Sequence, residues 1–391
     1  MTVHFVIQST LDFLHTAVPV RKTSDQVRDD EVHLQAAIDW LLLSIEKAGG
    51  RASSKAYRVG QGWMPPYRET SGYIIPTLLA VAERRNRPEL YDTADRIGSW
   101  LSEVQSPDGG FIERELDQSP DPIVFNTGMI LHGFNALIHY RGREDLIANA
   151  RRAGDFLIGC MDDSGCFVRY LSNGIPHTYN VRGAWALFAL GRVTGDERYQ
   201  KAALANADWA LSQQTERGFF RNNGFKPGGN ANTHGLAYVL RGLLEIHRMS
   251  GEERFLSAVR RTAERVVSLY GARRRVAAEL GENWEYLSSH ICLTGYAQLA
   301  IVLLKLFRID GDQRYRNAAF NFLDDVAATQ NVTARAKPYY GAIKGSHPIY
   351  GRYAPLQYPN WATKFFIDAL LVKEEARSSD ADRIPVQLSA G

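Results

Sequence analysis

Two stretches of the 391-residue sequence concentrate side chains able to move protons or to hold a charged ligand. Gly281-Glu-Asn-Trp-Glu-Tyr-Leu-Ser-Ser-His290 sets the carboxylates of Glu282 and Glu285 beside Trp284 and Tyr286. Tyr339 to Tyr353, continuing to Tyr358-Pro-Asn-Trp361, mixes Lys344, His347 and Arg352 with several tyrosines. Further polar residues stand where long apolar segments begin: Glu69, Ser71, Asn126, His177, Tyr179, Arg182, Asn232, His234, Ser288, Ser289, His290, Tyr358, Asn360 and Trp361. Carboxylates, imidazoles and phenols can donate and accept a proton, and nearby cations can stabilise a developing oxyanion. Tyr179, His234, Glu285, His290 and Tyr358 are the acid/base candidates. Trp63, Glu69, Asn126, His177, Arg182, Trp284, Lys344, His347, Arg352, Asn360 and Trp361 are the candidates for holding a substrate.

Most of these residues also have a plainer reading. Ser71, Asn126, Asn232, Ser289 and Asn360 are natural helix N-caps. Glu69 suits the first turn of a helix, where a carboxylate complements the dipole. His234 and His290 read equally well as satisfied core histidines. The 18 Tyr, 17 Phe and 7 Trp either plug an interior or offer platforms to sugar rings, whose C–H faces are apolar. Asp108-Gly-Gly110, Asp163-Ser-Gly165 and Arg217-Gly218, each followed closely by Phe, read as turns that seat an aromatic. Arg182 resists such a reading. A charge at the start of an apolar helix is costly unless an acid or an anionic ligand meets it.

A repeat positions these residues. Thr194-Gly-Asp-Glu-Arg-Tyr199, Ser250-Gly-Glu-Glu-Arg-Phe255 and Asp310-Gly-Asp-Gln-Arg-Tyr315 are copies of one phrase, with weaker copies at Arg85–Leu90 and Arg141–Leu146. Their second residues fall at 86, 142, 195, 251 and 311, steps of 56, 53, 56 and 60 residues. Gly ends one helix in the left-handed conformation, and Asp or Glu opens the next. Tyr or Phe then packs where the two helices meet, so the phrase is the turn of a helical hairpin. Apolar helices precede each turn and amphipathic ones follow it, the pattern of buried and half-solvated helices.

The pattern predicts six inner helices, starting near Ser71, Asn126, Arg182, His234, Cys292 and Asn360. Six outer helices start near Val32, Glu89, Asp145, Arg198, Glu253 and Gln313. Pairing the unpartnered first outer helix with the last inner one closes the ring. The expected fold is therefore all-α: a six-hairpin (α/α)6 toroid over residues 31–376, with an N-terminal extension at 1–30 and a flexible tail at 377–391. The long connections at 49–70, 106–125, 162–181, 215–233, 271–291 and 331–359 gather at one rim. That rim, with six inner-helix N-termini pointing at it, would favour an anion such as a carboxylated sugar.

Composition narrows the field. Lys and Arg total 46 against 43 Asp and Glu, a net charge of +3 that gives no case for nucleic acid. Cys160, Cys166 and Cys292 match no disulfide framework or zinc spacing and read as buried small residues in a reducing compartment. No signal peptide or membrane-spanning segment is read, so no membrane insertion and a cytoplasmic location are expected. Phosphate loops, dinucleotide fingerprints, zincin motifs and nucleophile elbows are absent. No cofactor and no metal are expected. The acid motifs of a terpene cyclase are also missing, since Asp324-Asp325 is followed by Val-Ala-Ala on an outer helix.

Tyr67–Thr77, Phe125-Asn-Thr-Gly128, Leu293–Gln298, Gly341–Ile349 and Tyr358–Phe366 carry a resemblance. Over about residues 30–376 the chain resembles bacterial proteins encoded with exopolysaccharide biosynthesis genes. Those in turn look related to the helical domain of D-glucuronyl C5-epimerases and to six-hairpin glycosidases. The resemblance implies polysaccharide biosynthesis or modification, an oligo- or polysaccharide substrate, and polysaccharide-assembly proteins as partners. No epimerase catalytic pair aligns, so none is carried over. C5-epimerisation or lyase-type proton abstraction on a uronic acid is the leading expectation, with Arg182 and Lys344 or Arg352 on the carboxylate. Glycoside hydrolysis, with Glu69, Asp121, Glu282 and Glu285 as rim acids, stands beside it. So do a sugar 2-epimerase and a non-catalytic glycan-binding component.

Overall fold

In a computed structural model of the chain, residues 29–113, 120–225 and 230–381 are described, the last three without their side chains. The expected N-terminal extension lies almost wholly outside these residues. In chain order the helices are α1 (Asp30–Lys47), α2 (Arg68–Arg84), α3 (Glu89–Glu103), α4 (Val124–Arg141), α5 (Ile147–Gly159) and α6 (Val181–Thr194). They continue with α7 (Glu197–Ser212), α8 (Thr233–Ser250), α9 (Glu253–Arg273), α10 (Leu293–Asp310), α11 (Gln313–Ala327) and α12 (Asn360–Ala381). Odd-numbered helices lie outside and even-numbered ones inside. Each inner helix packs on the inner helices before and after it, and α12 meets both α10 and α2. The first outer helix, α1, packs on α12. The ring is therefore closed as a six-hairpin toroid. Helix α12 runs five residues past the expected domain end at 376, and the rest of the expected tail is outside the described residues.

The repeated phrase does what its residues dictate. Gly142, Gly195, Gly251 and Gly311 cap inner helices in the left-handed conformation at φ 64°, 70°, 78° and 72°. In the weakest copy Asn86 takes that conformation, at φ 50°, the substitution that its short polar side chain allows. Asp196 and Asp312 then accept from the backbone N–H of Arg198 and Arg314. Tyr199, Phe255 and Tyr315 are buried between the hairpin's two helices.

The inner-helix starts depart from expectation by up to three residues, and the expected caps change with them. Only Asn232 of the five acts as an N-cap, accepting from His234 N at 2.9 Å. Ser71 lies inside α2 and donates to Tyr67 O. Asn126 lies inside α4, while Cys292, rather than Ser289, caps α10. Asn360 is the first residue of α12 and donates instead of accepting.

At the opposite rim, short antiparallel ladders stitch the long loops together. β1 (Ala56–Arg58) pairs with both β2 (Gly62–Trp63) and β7 (Gln357–Pro359), joining the first loop to the last. β3 (Ala231–Asn232) pairs with β4 (Glu279–Leu280), and β5 (Ile291–Cys292) with β6 (Ser346–His347). The three expected aromatic-seating turns bury Phe111, Phe167 and Phe220. Gly341 shows how closely the loops lie on the barrel. Its φ is +80°, and a Cβ there would fall 1.9 Å from the carbonyl oxygen of Ala36 in α1. Gly341→Ala combines left-handed strain with a backbone clash. It is expected to cost about 3 kcal/mol or more in a denaturant melt; a loss under about 1 kcal/mol would contradict this packing.

Candidate active site

A cleft of about 230 Å³ opens at the long-loop rim, inside the ring of inner-helix N-termini. Five of the expected residues line it: Glu69 from α2, Asn126 from α4, Tyr179 from the turn before α6, His234 from α8 and Trp361 from α12. Helices α2 and α8 are three steps apart in a ring of six, so Glu69 and His234 enter from opposite sides. Tyr67, Tyr73, Tyr238, Tyr353 and Lys55 complete much of the wall, with Phe125 and Phe225 as apolar surface.

The hydrogen bonds orient these groups. Tyr67 donates from its hydroxyl to Glu69 Oε2 at 2.6 Å, and Lys55 Nζ sits 4.7 Å from the centre of the Tyr67 ring. His234 Nδ1 meets the side-chain amide of Gln298 at 2.6 Å, which fixes the imidazole plane. A base at His234 Nε2 requires its proton on Nδ1 and the Gln298 oxygen facing it; amide and tautomer turn together. Burial, helped by the Arg182 charge, lowers the His234 pKa to about 3, so the ring is neutral near pH 7. Neutral imidazole is the form that accepts a proton. Burial and then the Glu69 carboxylate push the Tyr179 phenol well above its ordinary value. The same two influences, among others, raise Tyr238 and Tyr353. These phenols are therefore proton donors. Trp361 Nε1 donates to the Tyr353 hydroxyl at 2.8 Å and holds it over the cleft. The Asn126 Nδ2 is buried without a partner among the described residues, an amide donor placed for a ligand oxygen.

The other expected residues fall elsewhere. His177 stacks on Tyr179 at 4.3 Å, donates from Nε2 to Ser172 O, and braces that phenol from behind. Burial brings its pKa down to about 4. Arg182 does not line the rim cleft. A 3-10 turn at Thr178–Asn180 precedes α6 and takes the rim position, leaving Arg182 a turn deeper, on a second cavity. Glu285 is exposed and folds back to accept from Asn283 N, while Glu282 pairs with Arg221. Trp284 is 2% exposed, donates to Arg217 O and packs edge-on against Phe219. His290 is buried against the backbone of Gly351.

Tyr358 stacks on Tyr339, and Trp63 on Trp40, in one small apolar cluster beneath the last loop. Asn360 donates to Ser53 Oγ, Ser54 O and Thr70 Oγ1, tying α12 to the first loop and to α2. Lys344 lies 3.3 Å from His347 Nδ1. Burial lowers the lysine to about 8 and, with the lysine's charge, the histidine to about 4. Arg352 is exposed, as is Asp121, and neither lines the cleft.

Tyr73 and Tyr238 went unmarked in the sequence, yet a signal exists. They stand four residues after Glu69 and His234, which puts each on the same helix face one turn deeper. Lys55 and Phe225, in irregular loop backbone, carry no comparable signal. No group of three or more His, Cys, Asp or Glu among the described residues is arranged to hold a metal ion. No described helix is long and apolar enough to cross a membrane.

Comparison with protein-family models gives no match, and comparison with curated proteins gives none. Solved structures do match the fold. Unsaturated glucuronyl hydrolase from Bacillus sp. GL1 superposes with a TM-score of 0.69 at 18% identity, over 88% of this chain and 96% of that one. A D-mannose isomerase gives 0.69 at 12% identity, over 88% and 97%. An unsaturated glucuronyl hydrolase specific for heparin gives 0.66 at 14% identity, over 90% and 99%. The chain thus has the six-hairpin toroid fold of these proteins. At such identities the likeness speaks for the fold, since one fold hosts many chemistries.

Proposed function

We propose that the protein is a carbohydrate-active enzyme that moves the C5 proton of a uronic acid within a glycan, as an epimerase or a lyase. The observation that carries this reading is the placement of Glu69 and His234 on opposite inner helices across one cleft. Inversion at a carbon needs an acid and a base on opposite faces of the ring. Lys55, Asn126 and the inner-helix N-termini offer charge and N–H groups to the sugar carboxylate and to the enolate-like intermediate. Lys55 takes the role that the sequence suggested for Arg182 together with Lys344 or Arg352. Tyr179 and Trp361 supply ring surface to the sugar, and Tyr353 supplies a hydroxyl. The glucuronyl unit in the names of the fold relatives supports the substrate class. Involvement in polysaccharide biosynthesis, with assembly proteins as partners, rests on the sequence resemblance.

Hydrolysis is the second reading, favoured by the hydrolases among the fold relatives. Paired-carboxylate hydrolysis needs a second acid near the first, and Glu69 is the only carboxylate lining the cleft among the described residues. Proton NMR of the enzyme with glucuronate-containing oligosaccharides in D2O separates the two. Deuterium at C5, or new 4,5-unsaturated signals, is the expected result. Release of reducing ends with C5 fully protonated would replace this reading with hydrolysis.

A further inference from the structure

A second, larger cavity of about 460 Å³ lies inside the barrel below the rim cleft and opens toward the short-turn end. Its wall carries Arg182, Arg192, Arg241, Arg248 and Lys364, against the single carboxylate of Asp368. Most of these charges are accounted for. Lys364 pairs with Asp368 at 2.5 Å, and Arg241 and Arg248 each lie 2.8 Å from Glu245. Arg192 and Arg248 stand near helix C-termini, where a cation complements the dipole.

Arg182 is the exception. It is 4% exposed and, among the described residues, makes no direct ion pair or side-chain hydrogen bond; Asp368 acts on it only from a distance while paired to Lys364, and its Nε is a buried donor without a partner. It is the second residue of α6, at the helix end that repels a cation. The rings of Tyr238, Trp185 and Phe365 lie 4.8, 5.3 and 5.3 Å from its Cζ. Such rings engage the face of a guanidinium. They leave its in-plane N–H donors, a fork matched to an oxyanion, unsatisfied. A buried charge of this kind is stable only with a counter-charge.

We propose that this inner cavity binds a compact oxyanion of the phosphate class, free phosphate or a phosphate monoester, with Arg182 as its central donor and Lys364 beside it. The site is separate from the rim cleft and stands or falls independently of the chemistry assigned there. Tyr73 lines both cavities, so an occupant of one is felt by the wall of the other.

The test is thermal unfolding of the full chain in sodium phosphate, glucose 1-phosphate or sodium glucuronate, each against sodium chloride of equal ionic strength. The phosphorus NMR line width of the ligand is followed in parallel. Phosphate or its ester is expected to raise the melting temperature by about 2–5 °C near saturation and to broaden the phosphorus line. The larger response tells free ion from ester. Arg182→Met is expected to lose both effects while melting no lower than the parent without ligand, since it removes an uncompensated charge. No phosphate-specific shift or broadening in the parent overturns the proposal. So does a stabilising response to glucuronate that abolishes the broadening, which would make the cavity a carboxylate subsite. If Arg182→Met fails to fold, the parent's line width decides.

Discussion

Glu69→Gln and His234→Asn are each expected to lower turnover of a uronic-acid glycan by about 10²–10⁴-fold, the range for loss of a positioned acid or base. Glu69→Gln is isosteric, and His234→Asn gives up part of the ring while keeping its polar edge. Glutamine at 69 still accepts from the Tyr67 hydroxyl, and asparagine at 234 retains a polar group facing Gln298. Melting temperatures should therefore stay within a few degrees of the parent, and KM should move less than kcat, because the groups act on the proton being transferred. The corresponding change at Glu285, Glu285→Gln, should leave kcat within about twofold, because that carboxylate is turned into its own loop. Steady-state kinetics on the three variants checks the assignment. An activity loss at Glu285 matching that at Glu69 would move the acid/base site to the outer loops.

The largest stability effect is expected at Glu245, far from the cleft. This carboxylate is 2% exposed, with Arg241 and Lys305 each 2.8 Å from Oε1 and Arg248 donating to Oε2. Burial alone would raise its pKa. The three cations outweigh burial and hold it well below the usual carboxylate range. Glu245→Gln takes the buried counter-charge from the half-buried Arg241 and Lys305 and should cost about 3 kcal/mol in denaturant unfolding. The sign of the pH dependence follows from the depressed pKa. The contribution is complete above the unfolded carboxylate value of about 4.3 and is lost as pH falls below it. The parent's melting temperature should thus fall more steeply below about pH 4.5 than that of Glu245→Gln. Parallel acid profiles would show that the carboxylate is not charged and paired in the folded protein.

The ring was legible because its repeat is written in residues with one physical job each. Glycine at 195, 251 and 311 stops a helix, Asp196 and Asp312 start one, and Tyr199 and Tyr315 lock the corner. Closure followed from counting hairpins. Glu69, Asn126, Tyr179, His234 and Trp361 could be placed on the rim because they sit at the starts of apolar helices. Two kinds of residue escaped. Tyr73 and Tyr238 lie within apolar runs, where a phenol facing the lumen and one facing the core look alike. Trp63 and Trp284 read as ligand surface and Tyr358 as an acid/base candidate, yet each packs beneath a loop; an aromatic in a long loop serves either end, and only the backbone's path decides. Arg182 was set one turn too high, because a sequence pattern does not reveal a 3-10 turn ahead of its helix. The cost of burying it was legible, and among the described residues it meets no direct ion-pair partner in the second cavity.

The central claim is that Glu69 and His234 address the two faces of one sugar carbon. The direct measurement is C5 exchange in D2O, starting separately from each of the two C5 epimers, in the parent, Glu69→Gln and His234→Asn. The account predicts exchange from both epimers in the parent. It predicts complementary variants, each keeping exchange from the epimer whose proton faces its surviving base. If both variants lose or keep exchange from the same epimer, the two residues do not divide the faces between them, and the opposed acid/base pair is wrong.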